Sequence, residues 1–400
     1  MTIDNKMPKK SDICLSVRFL EEDHPAVFGN LTLRPFSSGM DIIKQVRPTR
    51  LEWTYVRNLE FLNQFKEHVP VVVPTLNTVD GHARSFDGDP IVAPWMKFYG
   101  SPDTRFLYIC QNNPDDLQAK IDIAKYYIRE GYTNFHFDDW YCNAQMFIFK
   151  NPCFCEHCMR EFSRYLGIPL DYRDYLKSRG FHDLEQLLAA VKFDHVPLWR
   201  DYINFQHESV TRFFRRLKYN LDQAYPAGTT MSVNGSVNSA SERIASIKNS
   251  IDYFDGETKS IKPESLLEVA KASRMEGKMQ VVLICPDEHE DHDRNTEAWK
   301  NEVRQAIALC YCLGMLPLFP YDVYMRSDKQ GKPKPRWYGT WEEYGQPFEI
   351  VRQHPDWFDD YEFENMNLAA DGTVTIVSNN SANGSALKHQ IKPDGTWCTN

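Results

Sequence analysis

No stretch of the 400-residue chain approaches the roughly 18 consecutive apolar residues of a membrane span. The first ten residues, Met1 to Lys10, contain no apolar core of the kind a secretory leader needs. A basic excess is missing too. The net charge of −9 argues against nucleic acid or an anionic membrane as the main partner. No internal repeat and no low-complexity tract is visible. The ten cysteines stand at 14, 110, 142, 153, 155, 158, 285, 310, 312 and 398. Outside 153–158 they lie mostly in apolar strand or helix patterns, which fits reduced, buried thiols in a cytoplasmic protein rather than a disulfide framework.

What is present is apolar and aromatic: 42% hydrophobic residues, 13% of all residues aromatic, enough for a large core. Short apolar strands recur, with amphipathic helices between them. The strand windows are 13–19, 50–56, 69–75, 133–138, 229–234, 251–257, 279–285 and 315–321. Strands alternating with helices imply a parallel sheet, and eight such units imply an α/β fold, a (β/α)8 TIM barrel. One helix start is explicit. Asn112, Asn113, Pro114, Asp115 and Asp116 offer a cap, a first-turn proline and acids at the positive helix end. Leu117, Ile121, Ala124 and Ile128 then share one face, and Gly131 ends the helix. Two insertions, 76–111 after the third strand and 140–195 after the fourth, fall on the face where barrel active sites are built. The expected division is a catalytic barrel over 10–355 and a small β-rich appendage over 356–400.

Acidic residues gather at the expected strand ends. In the fourth strand, side-chain alternation sends Phe135 and Phe137 outward under the helices, and His136 and Asp138 into the barrel. Asp139 follows directly. The sixth strand ends in Asp255 and Glu257, which share one parity, and Gly256 between them permits a close backbone approach. After the seventh strand come Glu288 and His289. Such acids also cap loops and helices. Paired carboxyl groups at a barrel mouth suit glycoside hydrolysis, in which one protonates the leaving oxygen and the other attacks the anomeric carbon or activates water. The assignment is Asp138 as nucleophile or base and Glu257 as acid, with Asp255 the nearest competitor and Asp139 orienting a sugar hydroxyl. His136, Trp140, Asn234, Trp53, Tyr321 and Asp322 are expected to contact substrate. Tyr55, Tyr141 and Tyr324 offer further stacking faces. Rival readings are a carbohydrate-binding barrel without catalysis and a metal-dependent hydrolase using His136, Asp138 and His289. The latter is weakened by the lack of a His-x-His in the first strand. The expected partner is an oligosaccharide or glycoside, with no nucleic acid and no membrane. A homo-oligomer is compatible with the chain.

Cys153, Cys155 and Cys158 fall within six residues, a spacing suited to a closed structural zinc site. The fourth ligand could come from Cys110, Cys142 or His157.

These residues carry a resemblance. The run from Cys110 to Pro114, the strand ending near Asp138, and Cys153-x-Cys155-x-x-Cys158 followed by Arg160 to Leu166 resemble the barrel domain of glycoside hydrolase family 42 β-galactosidases. They are still more similar to uncharacterised glycosidase-like barrels related to that family. The resemblance covers about residues 100–170 by motif and 10–330 by strand order. It implies that Cys110 completes a structural Zn2+ site. Family 42 also carries an Asn-Glu pair after strand four and a nucleophilic Glu after strand seven, which would enlist Asp139 and Glu288. Here strand four ends Phe137-Asp138-Asp139, without Asn-Glu. His136-Phe137-Asp138 is instead similar to the Lys-x-Asp of α-galactosidase-like barrels, a pattern that implies Asp138 working with Asp255 or Glu257.

Overall fold

The computed structural model describes residues 7–16, 26–28, 31–33, 39–54, 59–85, 87–93, 107–144, 152–167, 177–178, 180, 182, 186, 198–238, 247–258, 260–284, 296–320, 325–327, 333–335 and 344–400. Eight strands close into a barrel: β1 (Cys14–Ser16), β2 (Arg50–Thr54), β3 (Val71–Asn77), β4 (Asn134–Asp138), β5 (Thr230–Asn234), β6 (Tyr253–Glu257), β7 (Gln280–Leu283) and β8 (Leu316–Pro320). Each strand pairs in parallel with its sequence neighbours, and β1 closes the ring against β8 through Cys14 opposite Leu318. Buried side chains run almost unbroken along β2, β3 and β4 because helices cover the outside and packed side chains fill the inside. The expected (β/α)8 barrel is therefore the fold, and each of the eight strands overlaps its expected window. The third sits two residues later than its window, so the insertion after it begins after Asn77.

Among the described residues the helices of eight or more residues are α1 (Gly39–Val46), α2 (Leu59–Lys66), α3 (Pro114–Arg129), α4 (Glu156–Tyr165), α5 (Leu198–Ala224), α6 (Pro263–Glu276), α7 (Glu297–Cys312) and α8 (Gln346–Gln353). Helix α3 starts as its sequence dictates: the Asn113 side chain accepts the Asp115 N–H at 3.0 Å, with Pro114 in the first turn. Leu117, Ile121 and Ala124 are buried and Ile128 is packed against the core. Gly131, at φ 84°, takes the left-handed conformation that ends the helix. Phe137 meets Phe214 of α5 edge-on at 5.6 Å, so the outward parity of β4 holds.

The insertion after β3 is tied back on itself by bridges joining Val79 to Tyr108 and Val92 to Leu107. In the insertion after β4, α4 packs on α5 through Phe162, whose ring lies 4.8 Å from Tyr202 and 5.3 Å from Phe205. A four-stranded antiparallel sheet follows the barrel: β9 (Glu362–Leu368), β10 (Val374–Asn379), β11 (Ala386–Ile391) and β12 (Trp397–Thr399). It rests on α6 and α7, where Arg274 donates to the Phe363 carbonyl and Gln305 to that of Gly372. Near the β1 entrance, Lys10 donates to the Tyr361 carbonyl at 3.0 Å and Ser11 N–H to Asp359 at 3.0 Å. The Tyr311 hydroxyl donates to the Asp12 carbonyl at 2.9 Å. Among the described residues, no helix is long and apolar enough to cross a membrane.

Candidate active site

Polar side chains project into the barrel from β2, β4, β5 and β6. The register sets them side by side: His136 opposite Ser232, Ser232 opposite Tyr253, and Asn234 opposite Asp255. At the deepest level Arg50 donates from Nε to Glu52 Oε1 at 2.7 Å, and the Tyr253 hydroxyl donates to Glu52 Oε2 at 2.9 Å. All three are fully buried. Burial is the largest single influence and lowers the Arg50 pKa, but Glu52, Tyr253, Cys14 and Asp12 together outweigh it and the net shift is upward. The pair is thus a fixed buried ion pair with a phenol as its third member. Burial, reinforced by Glu52, raises the Tyr253 pKa, so the phenol keeps its proton and remains a donor.

One layer higher lie His136 and Asp255, with Nδ1 and Oδ2 3.8 Å apart. His136 Nδ1 is also 2.9 Å from the Ser232 hydroxyl. Burial lowers the His136 pKa to about 3, against a smaller upward pull from Asp138, so the imidazole is neutral at physiological pH. Asp255 is completely buried, and neither carboxyl oxygen has a hydrogen-bond partner among the described residues. Burial raises its pKa well above the carboxylate range. Glu52, Asp138 and Glu257 push the same way and Arg50 opposes them. A carboxyl in that setting folds as the neutral acid.

Asp138 stands at the mouth, half-buried, and two donors converge on its Oδ1: Asn234 Nδ2 at 2.9 Å and the Asp139 N–H at 2.8 Å. Glu257, two residues beyond Asp255 on β6, is exposed. Between them Gly256 lies against β5's exit. A Cβ there would fall 2.3 Å from the Gly235 carbonyl oxygen, so only glycine allows β6 this close. Of the four left-handed non-glycine backbones among the described residues, two lie at this site, Trp53 at φ 50° and Asp139 at φ 51°. The register slips between Leu51 and Thr54, and at this bulge the Trp53 ring packs 4.6 Å from His136.

A cysteine cluster braces this rim. Cys110, Cys153, Cys155 and Cys158 keep their sulfurs within 4.8 Å of one another, and the Cys110 sulfur is 3.4 Å from those of Cys155 and Cys158. Sulfurs about 2.3 Å from a tetrahedral centre lie about 3.8 Å apart, so the spacing fits four thiolates around one metal ion. Amides surround them: Asn112 Nδ2, Asn143 Nδ2 and Gln206 Nε2 reach Cys158 Sγ at 3.3, 3.5 and 3.5 Å. Hydrogen bonds from the other three thiols hold the Cys155 pKa well below the usual thiol value, while burial pushes Cys110 and Cys153 up. Cys142 is not in the cluster. Its sulfur contacts Thr78 at 2.8 Å and the Asp139 carbonyl at 2.9 Å. His157 pairs with Arg160 instead. A chain of contacts runs from the clip to the mouth. Asn143 exchanges hydrogen bonds with Gln111, Gln111 donates to the Trp140 carbonyl at 2.7 Å, and Trp140 Nε1 donates to the Asn234 carbonyl at 2.6 Å. Asn234 then holds Asp138.

The structure thus brings together Asp138, Asp255, Glu257, His136, Asn234 and Trp53, the sequence-predicted residues of β2, β4, β5 and β6. Trp53 and Trp140 are 4% and 3% exposed, so as described they serve packing and hydrogen bonding more than as open faces for a sugar. The Asp139 carbonyl accepts the Thr78 hydroxyl, which fixes the backbone beside Asp138. Glu288, His289, Tyr55, Tyr321, Asp322 and Tyr324 lie outside the described residues. Sequence reasoning missed Arg50, Glu52 and Tyr253. The available signal was Arg50-x-Glu52 within a strand flanked by strands buried on both faces.

No protein-family model matches the chain, and no curated protein matches it. Solved structures do. Eubacterium rectale Amy13B aligns over 97% of this chain and 88% of its own, with 10% identity and a TM-score of 0.50. The native Nostoc punctiforme debranching enzyme aligns over 96% and 87%, with 9% identity and a TM-score of 0.49. The α-amylase from H. orenii aligns over 95% and 89%, with 10% identity and a TM-score of 0.47. These structural neighbours are glycoside hydrolases. At such identities the likeness, carried by the first of them, is one of fold: the chain is built as a barrel of the kind seen in Amy13B.

Proposed function

We propose that the chain is a glycoside hydrolase that cleaves an O-glycosidic bond at the barrel mouth. One observation carries the reading: carboxyl groups from β4 and β6 stand at the same open end, with Asp138 fixed by two donors and Glu257 exposed. In this reading Asp138 is the nucleophile or base. Its Oδ1 accepts from Asn234 and from the Asp139 N–H, which fixes the carboxylate plane toward the mouth. Glu257 is the proton donor, because it reaches solvent and substrate while sharing the inward parity of Asp255. Asp255 is sealed in beside His136 and, as a neutral acid, adds no second negative charge beneath Asp138. The ion pair of Arg50 and Glu52 keeps the floor of the site rigid.

In the same proposal Cys110, Cys153, Cys155 and Cys158 hold one structural Zn2+. A closed tetrahedral ion offers substrate no open position, so its work is to anchor the loop after β4. All nine cysteines among the described residues are free, in keeping with a reducing compartment.

The test is turnover on a panel of aryl glycosides and oligosaccharides. Asp138→Asn and Glu257→Gln should each lower kcat by about 10²–10⁴-fold while the far-UV spectrum is unchanged. If both variants keep wild-type turnover, or if sugars bind and none is cleaved, the catalytic assignment is wrong.

A further inference from the structure

Outside the barrel wall, beside the cysteine clip, α4, α5 and the start of α3 enclose a cavity of about 340 Å³. Arg160 and Arg164 line it from α4, and Arg212 and Arg216 from α5. Each pair is spaced four residues apart, which sets both members on one helix face. Two helices therefore aim arginine pairs into one space. Like charges at that spacing weaken a helix, and the four guanidinium groups stand together in a chain of net charge −9.

Internal partners offset part of this charge. Glu161 pairs with Arg164, and Glu208 lies 3.8 Å from Arg212. Glu161 itself lines the cavity and offsets Arg164 there, whereas the Glu208 contact is solvent-exposed, of the kind that contributes little. The nearby first turn of α3 carries Asp115, which is exposed, and Asp116, which is turned inward onto His82 and the Cys110 N–H. Arg160 meets only the imidazole of His157, at 2.8 Å, among the contacts described. Arg212 is held in place: it donates to Asn112 Oδ1 at 3.2 Å and Ser209 Oγ at 3.3 Å and lies 5.7 Å over the Phe205 ring. With Nη2 used in this way and Nη1 toward Glu208, Arg212 supplies a fixed positive charge, while the exposed Arg160 and Arg216 carry the donor forks that match the oxygen edges of phosphate.

We propose that this cavity binds a phosphate group carried as the ester of a small metabolite. The arginines supply the recognition of the tetrahedral oxyanion. The volume supplies the case for an ester, since the anion alone fills on the order of a few waters of about 30 Å³ each. The size also falls at the lower end of the roughly 300–1,000 Å³ range of small-molecule sites. Helix N-termini and strand C-termini share one end of a (β/α)8 barrel, so the cavity at the start of α3 lies on the mouth side, apart from the carboxyl groups.

Isothermal titration of the full chain in phosphate-free buffer tests this, with inorganic phosphate, glucose 6-phosphate and glucose as probes. Phosphate and glucose 6-phosphate should bind, the ester more tightly, and glucose should not bind this cavity. Arg160→Gln combined with Arg216→Gln, both at exposed positions, should weaken both anions by roughly tenfold or more with unchanged Tm. A control pair off the cavity, Arg215→Gln with Lys271→Gln, removes the same charge and should leave binding as in the wild type. Arg216→Lys, which keeps the charge but loses the fork, should also weaken binding. The proposal is overturned if neither anion binds, if the cavity pair binds as well as the wild type, or if the control pair weakens binding equally. Binding of inorganic phosphate with no gain from the ester overturns the ester. Because the readout is binding, it does not depend on glycoside turnover.

Discussion

Replacing Asp255 with asparagine tests the electrostatics of the barrel interior. Burial, helped by Glu52, Asp138 and Glu257 and opposed by Arg50, raises the native pKa of Asp255 well above the carboxylate range. In the unfolded chain the same group ionises near about 3.9. Between those values the native state holds one proton more than the unfolded state. Wild-type stability therefore falls as pH rises, by about 1.4 kcal/mol per pH unit for this one group. His136 acts in the opposite sense. Its native pKa is about 3, against about 6.5 unfolded, so there the unfolded chain holds the extra proton and stability rises with pH at about the same slope. The two cancel between about pH 4 and 6.5, and above that window only Asp255 still acts. Asp255→Asn removes one of the two. The amide keeps the shape of the neutral acid, so the variant should gain on the wild type by about 1.4 kcal/mol for each pH unit, up to the native pKa. The assay is urea unfolding followed by tryptophan fluorescence at several pH values from about 5 to 8, both proteins in the same zinc-containing buffer. A difference independent of pH, or one that shrinks as pH rises, would refute the reasoning. It would mean that Asp255 folds as a carboxylate paired with a protonated His136.

Metal analysis of purified protein should find one zinc per chain, and Cys158→Ser should abolish it and lower Tm; stoichiometric zinc in that variant would break the assignment. Asn143→Ala, which removes an amide donor from two sulfurs, should weaken metal affinity by about 10–100-fold in chelator competition. Gly256→Ala puts a Cβ 2.3 Å from the Gly235 carbonyl oxygen and should cost about 1–3 kcal/mol, read from the urea midpoint. Asn234→Ala frees the Asp138 carboxylate and should lower kcat by about 10²-fold with KM much less affected; equal changes in both would point to substrate binding instead.

The barrel was legible because strands covered on both faces read as apolar runs at regular intervals, and parity alone sent His136 and Asp138 inward. The clip was legible because three of its four sulfurs come from one six-residue run, and the fourth came from the likeness around Cys110. Depth was not legible. Asp255 and Glu257 share a parity, yet one is sealed in and the other open, because strand tilt and stagger set how far up the barrel each residue stands. Arg50 and Glu52 were hidden for a related reason: alternating charges in a strand look like a solvent face until the strand is known to have none. The bulge at Trp53 left no mark, since its positive φ falls on an ordinary aromatic residue. The arginine pairs of α4 and α5 are visible as spacings, but only the packing of Phe162 on Tyr202 and Phe205 brings the two helices together.

The seam between β1 and β8 has a temporal consequence. Leu15 pairs with Phe319 across it, and Lys10 and Ser11 are bound by Tyr361 and Asp359, contacts 351 and 348 residues apart in sequence. During synthesis at about 5–20 residues per second, β1 would wait on the order of 15–60 seconds for its partner strand to emerge. Its clasp would come later still. Ring closure is then a late long-range event of folding rather than its nucleus. For that interval the nascent sheet has an open edge along β1, which a neighbouring chain could grip.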